Sequence, residues 1–350
     1  MLLSHVRIIG SGLIGSSIGL GLVQRGVSVS MVDVDPAAQA LAQDLMKSAP
    51  NTEPDLVLLA SPLGSISTVL KGLDISNVKY GFMDIGSVKT KVKVEVLASH
   101  LPVGAFLPTH PMAGREVGGA HSARADLFEG RPWIIDSNGA NPQLVSAGRE
   151  LIEALGATVI DMDSSEHDQA VALVSHLPQI VASLLAGQLV GARPDWLKLA
   201  GAGLRDTIRI SGSSPDLWKE IITANRDSII PLLQNFISDA NDLLKNIDDE
   251  NYVGEVVEKG ARGKSAIPGK HGGKQREYTY LPIVIEDKPG QLAALFDECA
   301  CADVNVEDLT IEHSPAQDTG LITLALSSSD AQILEAHLLN AGWRVHSPLK

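Results

Sequence analysis

Six residues near the start of the chain, Gly10-Ser11-Gly12-Leu13-Ile14-Gly15, constrain the fold more than any other stretch. They stand between a short apolar strand at 6–9 and a helical run at 16–24. A glycine pattern alone is weak, but at a strand-to-helix turn it carries a mechanism. The first glycine allows the tight turn, the second lets backbone approach a pyrophosphate, and the third lets helix pack on strand. The helix N-terminus then offers free N–H groups and the positive end of its dipole to phosphates. A second strand, 27–33, ends in Asp33, about 20 residues on, where a carboxylate accepts from both ribose hydroxyls. Neither Arg nor Lys follows in 34–38 to neutralise a 2′-phosphate, so NAD is expected rather than NADP. Leu13, Ile14 and Ser61 complete the expected cofactor contacts.

Strand–helix alternation continues at 56–60 with 65–73 and at 81–84 with 89–99. Further strands are expected near 105–107, 133–135 and 158–160, with a helix at 142–155 between the last two. This alternation predicts a Rossmann-type doubly wound parallel sheet over 1–163, with ligands beyond the strand carboxyl ends. Ser87, in Gly86-Ser87-Val88-Lys89, sits at one such end, where it either caps the next helix or faces the site. His110 sits at another, in a short turn between two prolines, Leu107-Pro-Thr-His-Pro-Met-Ala-Gly114. Imidazole is the side chain whose unshifted pKa best suits taking and giving a proton near neutrality.

From Ser165 the pattern changes to long apolar helices. Ser175, His176 and Gln179 lie on nearby turns of a helix expected over 168–190. Pro178 cannot donate its backbone hydrogen bond and crowds the carbonyl of Val174, so that helix should bend. Arg205 and Arg209 share a helical face with Asp206. An arginine fork grips a carboxylate by two parallel bonds. Ser214-Pro215 opens a long amphipathic helix through 246, with Trp218 in its first turn. So many apolar helix faces in the section 164–255 imply a homodimer.

With 350 residues and a net charge of −14, the chain is large enough for several domains and ill suited to a nucleic-acid partner. Its two cysteines, Cys299 and Cys301, are too few and too close for a disulfide framework or a zinc cage, and no metal is expected. The N-terminus shows no signal peptide, and no apolar run in the sequence reaches the roughly 18 residues that span a bilayer. A soluble, cytoplasmic protein is the expectation, with no membrane partner.

Taken together, residues 5–250 resemble the prephenate dehydrogenase family and its arogenate-using sister. The resemblance rests on the glycine loop, Gly-Ser-Val-Lys at 86–89, Thr-His-Pro-Met-Ala-Gly at 109–114 and His-Asp at 167–168. It extends to Ser-His-Leu-Pro at 175–178, Arg-Asp-x-x-Arg at 205–209 and Ser-Pro-x-x-Trp at 214–218. It implies an NAD-dependent oxidative decarboxylation of prephenate in tyrosine biosynthesis, with arogenate as the alternative substrate. It further implies His110 as the base, Ser87 orienting hydroxyl and imidazole, and Arg209 clamping a carboxylate. His176, Ser175, Gln179 and Arg205 would line the pocket, and Asp206 would tether Arg209 or meet the partner subunit. Gln179 stands where many members carry histidine, and Arg115 where a small hydroxyl residue is common. Two other readings are a β-hydroxyacid-type dehydrogenase, which would use a helical-domain lysine and leave His110 idle, and a non-catalytic NAD and amino-acid sensor.

The stretch 256–278 reads as a flexible basic linker. Beyond it, 279–350 follows the strand and helix order of a ferredoxin-like α+β domain. Leu292, Leu295, Phe296 and Cys299 form one helix stripe expected to face the sheet. Asp287-Lys-Pro289-Gly290-Gln-Leu292 and Asn305-Val306 resemble ACT domains, the amino-acid-sensing modules of such enzymes. The resemblance implies an effector site at Asp287, Pro289, Gly290, Leu292 and Asn305 for an aromatic amino acid, tyrosine first.

Overall fold

The protein was studied as a computed structural model that describes residues 3–46, 52–73, 80–99, 101–115, 117–267, 278–313 and 318–349. Strands β1 (His5–Ile9), β2 (Ser28–Val32), β3 (Leu56–Leu59), β4 (Gly81–Asp84) and β5 (Phe106–Leu107) form a parallel sheet in the order β2-β1-β3-β4-β5. Side chains alternate across β3: Leu56 and Leu58 join the core on one face, Val57 and Leu59 that on the other. Helices α1 (Leu13–Gln24), α2 (Pro36–Leu45), α3 (Ile66–Gly72) and α4 (Thr90–Leu97) provide the crossovers. Burial on both faces is what a parallel sheet demands, and it explains why β3 reads Leu-Val-Leu-Leu without a polar residue.

The remaining strands of this part depart from the expected single sheet. β6 (Thr109–Pro111), β7 (Pro132–Ile135) and β8 (Thr158–Asp161) form a separate three-stranded sheet, β6 antiparallel to β7 and β7 parallel to β8. His110 therefore lies on a short strand opposite Ile134, not in a turn. Proline lacks an N–H, but Pro111 is tolerated because β6 is an edge strand. Helix α5 (Pro142–Ala154), capped by the Asn141 side chain on the Gln143 N–H, crosses from β7 to β8.

Helix α6 (Ser164–Val171), capped by Asp163, leads into a π-helical turn at Ala172–His176 and then α7 (Leu177–Gly187). The expected bend at Pro178 thus takes the form of a widened turn just before it, which absorbs the missing donor. After α8 (Pro194–Leu197) and α9 (Ala202–Ile208), the long helix expected from Pro215 is divided into α10 (Pro215–Ala224) and α11 (Arg226–Lys245). Asn225 makes the break. Its buried side chain donates to the Asp168 carbonyl at 2.7 Å and meets His176 Nδ1 at 3.1 Å.

The chain divides into two compact units, Met1–Ala240 and Asn241–Lys350. The two domains expected over 1–163 and 164–255 are thus joined up to Ala240, because Ile221 and Trp218 of α10 pack into the sheet core beside Ile66 and Val92. The stretch Ser164–Gly187 is apolar and long enough to cross a membrane by length and composition. Its buried polar side chains, His167, Asp168, His176 and Gln179, instead belong to the site described below.

In the second unit, helix α12 (Glu250–Ser265) runs through the first half of the expected linker. Asp249 caps it, Glu258 and Arg262 pair one turn apart, and Arg262 and Lys264 suit its C-terminal dipole. The rest of that linker, 268–277, lies outside the described residues. β9 (Thr279–Glu286), α13 (Gln291–Cys301), β10 (Asp308–His313), β11 (Thr319–Leu326), α14 (Ser328–Asn340) and β12 (Arg344–Val345) follow the expected order. Their antiparallel sheet, β10-β11-β9-β12, is ferredoxin-like. Only half of the predicted α13 stripe is buried: Leu295 and Cys299 enter the core, whereas Leu292 and Phe296 are 38% and 40% exposed. Contact with the sheet follows a narrower line than an apolar stripe of that spacing suggests.

Candidate active site

The glycine loop leaves the carboxyl end of β1, and Ser61 follows the carboxyl end of β3. Strand order reverses between these neighbours, so the ligand crevice of a doubly wound sheet opens there. Gly10 has φ +117°, and a Cβ on it would stand 2.3 Å from the Ala60 carbonyl oxygen. A Cβ on Gly15 would stand 2.3 Å from the Gly10 carbonyl oxygen, so helix and strand meet only because that side chain is absent. A Cβ on Gly12 would meet nothing within 4 Å, which leaves open space in front of the N-terminus of α1. Asp33 accepts from the Ser11 N–H at 2.6 Å and so fixes the loop beside the expected ribose position. The hydroxyls of Ser11 and Ser61 are buried and without a partner among the described residues. Two orphaned polar atoms flanking an open anion site fit a dinucleotide, whose phosphates and ribose supply the missing partners. Leu13 and Ile14 form the first turn of α1.

Below the crevice, Asp84 and Lys89 form a fully buried ion pair. Lys89 Nζ also donates to the Thr109 carbonyl at 2.6 Å. The Asp84 carboxylate accepts from the backbone N–H groups of Gly86 at 2.9 Å and Thr109 at 3.1 Å. Burial pushes the Asp84 carboxyl up and the Lys89 ammonium down, and each is opposed by the other's charge. Thr109 Oγ1 donates to the Asp84 carbonyl and accepts from Trp133 Nε1. The residue preceding His110 is thus held by four hydrogen bonds through three of its atoms, and the imidazole direction is set from behind. Ser87 lies between Asp84 and Lys89 in the same turn, partly exposed.

Ser87 does not cap α4. The first N–H groups there, Lys89 and Thr90, donate instead to the Asp168 carboxylate, each at 2.8 Å. Asp168 accepts a third bond from His167 Nδ1 at 2.8 Å. Burial, the largest single influence, would raise the Asp168 carboxyl; the His167 bond and the two backbone N–H groups outweigh it and hold the carboxyl below its usual range. His167 Nε2 in turn meets His110 Nδ1 at 2.8 Å. An ionised Asp168 only accepts, so neutral His167 carries its proton on Nδ1 and offers Nε2 as an acceptor. His110 must then donate from Nδ1, which leaves its Nε2 a bare lone pair. Burial above all, with repulsion from His167, Lys89 and His176 whenever these carry a charge, holds the His110 imidazole well below its usual pKa. It is therefore neutral and able to accept a proton.

A cavity of about 830 Å³ opens where the chain leaves β6. Arg115, Ser175, Gln179, Arg209 and Trp218 line it, so three of the six expected substrate-binding residues meet there, while His110 and Ser87 are not among its lining residues. Gln179 is buried and donates to Ser183 Oγ at 3.3 Å. His176 stands one layer behind, edge-on to Trp218 with ring centroids 6.0 Å apart. Burial, opposed by the charge of Asp168, lowers its pKa to about 4. Arg205 and Asp206 lie exposed on α9 and are not among the residues lining this cavity. A smaller cavity near Gly81, Ala105 and Asn141 lies at the amino ends of β4 and β5, the wrong end of the sheet for a ligand.

His110, Ser87 and Arg209 carry sequence signals of a site, whereas the roles of Asp84, Lys89, His167, Asp168 and Asn225 emerge only from the structure. The available signal was a charged residue at an apolar strand end with a lysine five positions on, and a His-Asp pair opening an apolar helix.

The chain is similar to proteins of one family. Residues 18–161 match the family model for the prephenate dehydrogenase nucleotide-binding domain, and 163–258 that for the prephenate dehydrogenase dimerization domain. A probable prephenate dehydrogenase, NovF of Streptomyces niveus, is 28% identical over 97% of this chain and 99% of its own. The cyclohexadienyl dehydrogenase of Zymomonas mobilis is 31% identical over 76% of this chain and 97% of its own. The crystal structure of prephenate dehydrogenase from A. aeolicus, in complex with hydroxyphenyl propionate and NAD+, superimposes with a TM-score of 0.68 at 25% identity. That match covers 75% of this chain and 98% of the other. With its dinucleotide crevice, its neutral histidine and both family domains in place, this chain belongs to the prephenate dehydrogenase family and is an NAD-dependent dehydrogenase.

Proposed function

We propose that the chain converts prephenate to 4-hydroxyphenylpyruvate by oxidative decarboxylation. One observation carries the reading: His110 is held by its Nδ1 contact to His167, which leaves Nε2 as its basic nitrogen. Bound NAD supplies the hydride acceptor, held by Gly10, Gly12, Leu13, Ile14, Gly15, Asp33 and Ser61. His110 Nε2 takes the proton of the substrate's ring hydroxyl as the carbonyl forms. Ser87, at the end of β4, orients that hydroxyl. Arg209 pairs with a substrate carboxylate, with Ser175, His176 and Gln179 shaping the wall around it. Loss of CO2 then restores aromaticity and leaves the electron pair on the ring oxygen as a phenolate, which takes up a proton from water to give the product.

Charge favours prephenate over arogenate. Two arginines, Arg115 and Arg209, line the cavity, and no Asp or Glu does so among the described residues. Prephenate presents two carboxylates; arogenate adds an ammonium, which would meet cations and no partner. NADH formation with prephenate, arogenate and simple hydroxyacids tests this in one assay. Prephenate should lead in kcat/KM by about tenfold or more, the equivalent of ~1.4 kcal/mol. Turnover of hydroxyacids alone, or a preference for arogenate, would overturn it.

The same reading includes a soluble homodimer formed by the helical section. Leu184, Leu185, Trp196 and Phe236 are large apolar side chains left exposed there, and that section matches a dimerization domain. It also includes an ACT-type sensor in the second unit. Its ferredoxin-like topology and the exposed loop of Asp287, Pro289 and Gly290, with Leu292 and Asn305, support tyrosine binding and feedback.

A further inference from the structure

We propose that His167 is a second station for the substrate proton, so that the positive charge generated in turnover comes to rest beside Asp168 instead of on His110. The proposal rests on the dehydrogenase reading above. It is carried by three contacts in line: His110 Nδ1 to His167 Nε2 at 2.8 Å, His167 Nδ1 to Asp168 Oδ1 at 2.8 Å, and the Asp168 carboxylate to two backbone N–H groups. His167 and Asp168 are 0% and 3% exposed, so water does not compete for either bond.

The transfer balances without any redox partner. The substrate O–H bond breaks and a bond forms from that proton to His110 Nε2. The His110 Nδ1–H bond breaks as a proton joins His167 Nε2. His110 ends neutral, in its other tautomer, and His167 becomes an imidazolium with both nitrogens donating, one of them to Asp168. Reversal of the second transfer and loss of the Nε2 proton to water reset the pair. The charges around the dyad explain the direction. Lys89, paired with Asp84, faces His110, and a cation on that ring would meet the buried ammonium. Asp168 faces His167 directly, and Asp136 adds a further carboxylate near Lys89. A charge moved one ring along thus leaves that ammonium and joins the Asp168 carboxylate. In this scheme His167 positions the catalytic base and shares its proton without touching substrate.

Two measurements test it. In the resting protein, nitrogen-15 shifts should show both His110 and His167 protonated on Nδ1 and bare on Nε2; the opposite tautomer at either ring overturns the relay. Wild-type turnover decides the dehydrogenase reading separately, since the nitrogen shifts need no substrate. In His167→Gln the amide oxygen replaces Nε2 as acceptor, so His110 stays oriented but has nowhere to pass its proton. The expected result is a kcat lowered by about 10- to 100-fold, a modest share of the usual worth of proton transfer. KM values should stay within about twofold, with the acid limb of the kcat profile moved to lower pH. Unchanged kcat and pH profile, or a loss confined to KM and thermal stability, would leave His167 a packing residue and refute the proposal.

Discussion

Arg209 is the residue whose role depends least on its neighbours in the sequence and most on where the chain carries it. It ends α9 and reaches the same cavity as Arg115, which arrives from the other side after β6. A bidentate grip on a carboxylate stabilises by about 1.5–3 kcal/mol, so Arg209→Ala should raise KM for prephenate by about 10- to 100-fold. An unchanged KM would remove Arg209 from the substrate site. The guanidinium was legible in the sequence because arginine spacing and type already imply anion binding. Arg205 and Asp206, chosen by the same helical-face argument, lie exposed on α9 and are not among the residues lining the cavity. Helical spacing tells which residues share a face, and tertiary docking alone tells what that face meets. His167 was visible only as half of a dipeptide, because a hydrogen bond spanning 57 residues leaves no local periodicity.

Among the elements, the turn from β4 to α4 holds most of the constraint. A strand, a loop and a helix start are tied together by one buried lysine, and the ends of that tie are Asp84 and the Thr109 carbonyl. Breaking a buried pair by removing one partner costs about 3–5 kcal/mol, since the other charge is left uncompensated. Lys89→Met, which keeps the chain length and apolar stem, should therefore lower the urea midpoint by an amount equivalent to that loss. An unchanged midpoint would mean that the pair contributes no net stability and that Thr109 is held by its other bonds. The strands and crossover helices of the parallel sheet were legible from apolar runs and alternation. β6 was not: three residues containing a proline carry no strand period, and only the pairing with β7 makes them one. The break between α10 and α11 was equally hidden, because Asn225 costs little in helix propensity and acts through a buried contact to another helix.

For the whole molecule, two relatives match about three quarters of this chain and nearly all of their own length, and the family models end at residue 258, ahead of β9. The strand order of the second unit was legible throughout, because each strand and helix carries its own period and turn. As a sensor it should give measurable heat on titration with tyrosine. Gly290→Ala should weaken that heat, because φ at this position is +90° and a side chain strains the loop. Absence of heat with the unaltered protein would leave the unit a structural role. In the first unit, sheet, helical section and buried charges converge on one imidazole with a bare nitrogen, and the central claim is that this nitrogen takes the substrate proton. Steady-state turnover of prephenate by His110→Asn tests it most directly, with NAD affinity measured alongside. The expected result is a kcat lowered by about 10²–10⁴ with NAD binding retained; turnover near that of the unaltered enzyme would contradict it.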